Sequence, residues 1–196
     1  MMQGPGRPMA PGPPVAQVLP VTPPPRAKVV KKICVLGDFA VGKTSLIRRF
    51  VLDLFDDRYI TTMGTKITKK QLRYGDTELT LQIWDIVGNI IYRKLQAQYF
   101  RGSDGAFIVC DLSRRETVNN LLQWTDHYLK IAPQGKIIYI GNKRDLVADP
   151  KAAAVQLEQL SASQGTNFYL TSAMTGDDVE SAFQRLGAML LTRRGP

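Results

Sequence analysis

The most constraining stretch of the chain is Gly37-Asp-Phe-Ala-Val-Gly42-Lys43-Thr44, a G-x-x-x-x-G-K-[ST] spacing. It follows the apolar run Ile33-Cys-Val-Leu36 and opens a segment, 43–52, that reads as a helix. A chain can pass from a buried strand into a helix over so short a loop only if its backbone curls tightly, and the glycines permit that. The curl points successive N–H groups into one concavity, and the helix beginning near Lys43 adds the positive end of its dipole. Such a cradle takes phosphate oxygens. The binding residues read from it are Gly37, Phe39, Ala40, Val41, Gly42, Lys43, Thr44 and Ser45. Lys43 reaches the terminal phosphates, and the Thr44 hydroxyl is a ligand for Mg²⁺.

The segments around this loop predict the fold. Ile33–Leu36, Leu79–Trp84, Ala106–Cys110, Ile137–Ile140 and Phe168–Leu170 read as strands, most of them almost continuously apolar. Strands of a parallel sheet covered on both faces look like this. Lys66–Arg73 alternates more, and Tyr74-Gly-Asp76 follows it, which reads as a hairpin with one antiparallel edge strand. Helical patterns fall near 43–52, 91–100, 115–131, 151–164 and 177–193, and in the last of these Val179, Phe183, Leu186 and Leu190 recur at core-facing spacing. The expected fold is α/β: a doubly wound P-loop NTPase domain with a six-stranded, mostly parallel sheet and about five helices. Ligands of such folds bind beyond the carboxyl ends of the strands.

Composition separates the ends of the chain. Nine of the twelve prolines fall within residues 1–27, where aromatics are absent. That stretch buries too little apolar area to offset its ordering entropy, so 1–27 is expected to be a disordered or polyproline-like extension, and 28–196 the folded domain. Pro8-Met-Ala-Pro11 and Pro20-Val-Thr-Pro23 match the loose P-x-x-P pattern, but a spacer is the expected role. The net charge is +9 with the basic residues scattered; no nucleic-acid module accompanies them, and no nucleic-acid partner is expected. No run reaches the ~18 apolar residues of a membrane span, and no secretory leader is apparent. Cys34 and Cys110 both lie in apolar strands, as inert thiols of a reduced, cytoplasmic protein would.

A second loop narrows the ligand. The strand Ile137–Ile140 runs into Gly141-Asn142-Lys143-Arg144-Asp145. A carboxylate at Asp145 accepts both N1–H and the exocyclic amine of guanine, a donor pair that adenine lacks. Asn142 braces the loop and the stem of Lys143 lies over the ring. A tetrapeptide of this kind also occurs as an ordinary turn, but at a second strand end after a phosphate loop it points to guanine. The turn Thr171-Ser172-Ala173 offers a backbone N–H to guanine O6, with Met174 next to it.

From Val29 to Thr192 the chain resembles the Ras superfamily of small GTPases, and most of all its Rab branch. Trp84-Asp85-x-x-Gly88 is similar to the family's W-D-x-x-G, and Tyr99-Phe-Arg-Gly102 to its Y-Y-R-G. Phe55-x-x-x-Tyr59-x-x-Thr62-x-Gly64 is similar to its first switch. The resemblance implies that GTP and GDP are the ligands, with Mg²⁺. It implies that Phe55 stacks edge-on against guanine and that Thr62 joins the Mg²⁺ shell when the γ-phosphate is present. Asp85 would hold the ion through water, and the Gly88 N–H would sense the γ-phosphate. Lys43, Thr62, Gly88 and Asn89 are then the catalytic set, and Thr44, Thr62 and Asp85 the metal set. Hydrolysis removes the contacts that order both switches, near 55–65 and 85–100. His127, the sole histidine, is expected on a helix surface. Arg58 is the one candidate for an arginine supplied from within the chain, but it stands farther from its threonine than the arginine of heterotrimeric α subunits.

Four departures from the family pattern matter: in the second switch, at Phe39, at Met174 and at the C-terminus. Asp85-Ile-Val-Gly-Asn89-Ile90 stands where the family has D-T-A-G-Q-E, so Asn89 replaces the glutamine that orients water with a side chain one methylene shorter. Phe39 stands where Gly or Ser is usual and would obstruct an arginine finger. Val87 and Ile90 fit two readings, a larger effector patch or packing beneath a rigid switch. Met174 replaces a lysine whose backbone, not its side chain, carries the base contact. The chain ends Leu190-Leu-Thr-Arg-Arg-Gly-Pro196 without the cysteines on which Rab proteins are prenylated, so no direct lipid anchor is expected. The expected function is a monomeric, Mg²⁺-dependent GTP switch with slow hydrolysis, serving effector, exchange-factor and activating proteins. The alternative is a GTP-bound scaffold with negligible turnover. An ATP-using kinase is disfavoured by Asn142–Asp145.

Overall fold

The computed structural model describes residues 26–54, 65–86 and 93–192. Along the chain run β1 (Ala27–Gly37), α1 (Lys43–Leu52), β2 (Thr65–Tyr74), β3 (Thr77–Ile86), α2 (Arg93–Phe100) and β4 (Gly105–Asp111). There follow α3 (Arg115–Asn119), α4 (Leu121–Leu129), β5 (Lys136–Asn142), α5 (Pro150–Ser163), β6 (Asn167–Leu170) and α6 (Val179–Leu191). The six strands form one sheet in the order β2-β3-β1-β4-β5-β6. Only the β2–β3 pair is antiparallel; its hairpin turns at Gly75-Asp76, with Tyr74 opposite Thr77. The α/β architecture is therefore the expected one: mostly parallel with one antiparallel edge.

Strand periodicity distributes one apolar run between two cores. In β1, Ile33 and Val35 face the layer of α1 and α6, while Cys34 and Leu36 face the layer of α2, α4 and α5. β4 and β5 divide in the same way, with Phe107, Val109, Ile138 and Ile140 on the first side and Ala106, Ile108, Ile137 and Tyr139 on the second. Near-continuous hydrophobicity is the consequence of burying both faces. The edge strand β2 instead exposes Lys66 and Lys69, charges that discourage a further strand from pairing.

Three boundaries differ from the sequence expectation. β1 begins at Ala27, six residues before the apolar run, because Ala27–Lys32 pairs through its backbone with Thr77–Gln82 of β3. At that half-exposed end the ladder needs no apolar side chains. The helix expected over 115–131 is broken at Asn120 between α3 and α4; asparagine is a weak helix former, and its amide is drawn off to Asp38. α6 starts at Val179 because Asp178 holds a left-handed conformation (φ 52°). His127 is half-buried, edge-on to Phe100 at 5.2 Å between ring centroids, so it belongs partly to the core.

The two helix layers leave the carboxyl ends of β1, β4 and β5 at one edge, where the loops after β1, β5 and β6 converge. Beneath that edge, Phe183 of α6 stacks on Phe50 of α1 at 3.9 Å and meets Phe107 of β4 edge-on at 4.6 Å. This triple contact ties the helix after the phosphate loop to the sheet. Phe183→Ala is expected to lower stability by about 3–5 kcal/mol, the usual cost of deleting a buried ring, as read by denaturant unfolding.

Candidate nucleotide-binding site

The loop after β1 is built as its residue types require. Gly37 (φ 136°) lies so near β4 that a Cβ would sit 2.1 Å from the Val109 carbonyl oxygen. Gly42 (φ 98°) is the N-cap of α1, and a Cβ there would sit 2.3 Å from Asn142 Nδ2. Ala40 takes a left-handed conformation (φ 62°) despite carrying a Cβ, strain of a kind that persists where surroundings impose it. Gly42 supplies no side-chain cap to α1, and the positive end of the helix dipole is directed at the loop, a setting that favours an anion.

Lys43 lies inside this ring. Its Nζ donates to the Gly37 carbonyl at 2.9 Å and to the Asp38 carbonyl at 2.7 Å. Burial disfavours the cation and brings its pKa down to about 8, against the pull of Asp85 and Asp38, while Arg114 pushes the same way as burial. Thr44 Oγ1 donates to Asp85 Oδ2 at 2.6 Å, so two of the three expected metal residues meet. A hydroxyl and one buried carboxylate suit Mg²⁺, a hard ion that keeps most of its ligands as water and phosphate oxygen. Among the described residues no cluster of three His, Cys, Asp or Glu exists to hold an ion by protein groups alone.

The two recognition loops meet through one side chain. Asn142 is 1% exposed. Its Nδ2 donates to the Val41 carbonyl at 2.9 Å, while Oδ1 accepts from Thr171 Oγ1 at 3.1 Å and from the Ala173 N–H at 3.2 Å. A guanine O6 would share the Ala173 donor with Asn142. The Ser172 N–H is turned to the Asp177 carbonyl at 3.2 Å. Lys143 adopts a left-handed conformation (φ 62°) and its Nζ lies 2.7 Å from Asp111 Oδ2. Asp145 stands exposed in a short 3-10 turn, and Met174 is also exposed.

Several residues that sequence reasoning passed over support these loops. Asp111, buried at the end of β4, accepts from Ser113 N at 3.0 Å, Ser113 Oγ at 2.6 Å and Arg114 Nε at 3.0 Å. Burial alone would raise its carboxyl; hydrogen bonds from Lys143, Ser113 and Arg114 outweigh that and hold it below the ordinary range. Arg114 Nη2 also donates to the Phe39 carbonyl at 2.8 Å. Asp38 accepts from Asn120 Nδ2 and Trp124 Nε1, each at 2.8 Å. An apolar strand ending in Asp signals the first of these; the rest carry no local signature. Phe39 is 51% exposed. The switch residues Phe55, Thr62, Gly64, Val87, Gly88, Asn89 and Ile90, and Arg58, lie outside the described residues.

A strand, a glycine loop and a helix without a side-chain N-cap, with the Asn142 loop held against them, define a P-loop nucleotide-binding fold. The Ras family model matches residues 32–192. The chain is 33% identical over 163 residues to the Ras-related protein Rab-4A of Rattus norvegicus, covering 83% of this chain and 75% of that one. It is 32% identical over 164 residues to the Ras-related protein Rab-15 of Homo sapiens, covering 83% and 77%. The chain belongs to the Ras family and is Rab-like, a small GTPase by kinship.

Two outcomes follow from the geometry. Asn142→Ala strands the Thr171 hydroxyl, the Ala173 N–H and the Val41 carbonyl. It is expected to speed GDP release by roughly ten- to a hundredfold, measured by nucleotide dissociation. Lys43 titrates at about 8 in the free protein, and neighbouring phosphate favours its cation. Binding therefore takes up a proton above pH 8, and affinity should fall as pH rises through that value, by up to about tenfold per unit. Calorimetry in buffers of different ionisation enthalpy checks the proton uptake.

Proposed function

We propose that the chain is a Mg²⁺-dependent, GTP-binding molecular switch whose hydrolysis is slow. The observation that carries the binding half is the Asn142 carboxamide, which holds the phosphate loop and the base-reading loop at one fixed separation. In this reading the backbone from Gly37 to Ser45 and the Lys43 ammonium hold the phosphates. Asp145 and the Ala173 and Met174 backbone read guanine, with Phe55 against the base and Lys143 over it. Thr44, Thr62 and, through water, Asp85 hold Mg²⁺, which supplies charge neutralisation at the terminal phosphates. The Gly88 N–H and Thr62 report the γ-phosphate to effectors, and exchange and activating proteins reset the state. The protein acts as a monomer in the cytoplasm, a setting supported by its free, buried Cys34 and Cys110.

Slow turnover rests on two side chains. Asn89 holds the amide that orients water about one methylene short, and a misplacement of ~1 Å costs on the order of a hundredfold. Phe39 presents an exposed ring on the phosphate loop, where an incoming arginine would have to pass. That ring also supports a second reading, a GTP-bound scaffold that scarcely turns over. Denaturing extraction of the purified protein is expected to release GTP as well as GDP, and unlabelled ATP should compete poorly for the site. Single-turnover hydrolysis by Asn89→Gln should be roughly ten- to a hundredfold faster than by the native protein. Native hydrolysis already at the rate of that variant would sink the slow-switch reading; no hydrolysis by either would favour the scaffold.

A further inference from the structure

Arg49 lies on the last turn of α1, outside the nucleotide loops, yet its guanidinium does not point to solvent. Nε donates to the Ala173 carbonyl at 2.9 Å and Nη2 to the Met174 carbonyl at 2.5 Å. Nη1 is shared at 3.3 Å between the carbonyl and Oδ1 of Asp53, the C-cap of the same helix. The side chain of Arg49 is 17% exposed, whereas that of Asp53 is 94% exposed. The Asp53 pair is thus a weak, solvated one, and the two loop carbonyls are the substantial partners.

A planar trans peptide sets its carbonyl and the following N–H on opposite sides. Fixing the Ala173 oxygen toward α1 therefore turns the Met174 N–H away from α1. The Ala173 N–H is fixed from the other direction by Asn142 Oδ1 at 3.2 Å. The 173–174 backbone is held between Asn142, which is buried, and Arg49, which is partly buried. Ala173 is itself 4% exposed and packs in the core, while Met174 is 50% exposed. Beyond the core methyl of Ala173, polar ties set the shape of this turn.

We infer that Arg49 is a positioning residue for guanine recognition: its fork on the Ala173 and Met174 carbonyls fixes the peptides on both sides of Met174, presents the Met174 N–H toward guanine O6 and sets how long the nucleotide stays. This rests on the guanine-binding reading above. The planar guanidinium supplies two divergent donors at once, which a lysine ammonium on one flexible stem does not reproduce.

Dissociation of GDP and of 6-thioguanosine diphosphate from the purified full chain tests this. The thio analogue keeps the groups that Asp145 reads and weakens only the acceptor at position six. Arg49→Ala is expected to release GDP about tenfold faster and the thio analogue no more than about twofold faster, since one charge-assisted contact is worth about that factor. Arg49→Lys, a milder change that retains charge and stem, should recover only part of the GDP effect. Asp53→Asn, which keeps the left-handed C-cap while removing the exposed ion pair, should change either rate by less than about twofold. Equal acceleration of both nucleotides by Arg49→Ala would reduce Arg49 to a general structural role and overturn the inference. Complete recovery by Arg49→Lys would assign the effect to charge and overturn it too. Failure of the native chain to hold GDP at all is a different result, because it removes the guanine reading itself.

Discussion

The separation between phosphate loop and base loop depends on one buried carboxamide. Asn142 joins Val41, 101 residues away in sequence, to Thr171 and Ala173, which lie 29 and 31 residues downstream. A nucleotide has fixed dimensions, so a site that reads both ends must hold the two loops at one distance in the absence of ligand. Aspartate could accept here but not donate to the Val41 carbonyl. The absent Cβ at Gly42 is the other half of the same contact, since any side chain there would occupy the position of Asn142 Nδ2.

The end of β4 contributes through charge. Asp111 is 1% exposed, and an isolated carboxylate so placed would be costly. Lys143, Arg114 and Ser113 converge on it, so that one anion aligns two cations. One cation belongs to the base loop, and the other reaches the Phe39 carbonyl of the phosphate loop. The break between α3 and α4 serves the same region. With Asn120 freed from regular helical packing, its amide and the Trp124 indole together clasp Asp38. A longer unbroken helix would satisfy local propensity better and would leave that carboxylate unheld.

Features governed by local rules were legible in the sequence. The glycine loop, the apolar strands, the Gly75-Asp76 hairpin and the helix-spaced face of Val179, Phe183, Leu186 and Leu190 each combine residue type with short spacing. Asn142, Lys143 and Thr44 could be read for the same reason. The supports were not. Arg49 meets Met174 across 125 residues and Trp124 meets Asp38 across 86, and neither side has a pattern that names the other. The early start of β1 was hidden as well, because a half-exposed ladder is stabilised by backbone pairing that any residue can provide. Likewise the break at Asn120 looks like an ordinary amphipathic stretch until Asp38 is brought beside it.

Binding and chemistry draw on different parts of this framework. In the reading proposed above, backbone N–H groups and Lys43 hold the phosphates, and those contacts do not depend on which side chain follows Asp38. The Phe39 carbonyl is held by Arg114, while the residue as a whole is half-exposed. A bulky residue is therefore tolerated without loss of the cradle. Turnover has no such tolerance, since it needs a water and a counter-charge placed to within a fraction of an ångström. In the proposed reading, the changes at 39 and 89 leave nucleotide binding in place and alter how fast the nucleotide is spent. In a switch, that rate is the variable through which a partner's timing is set.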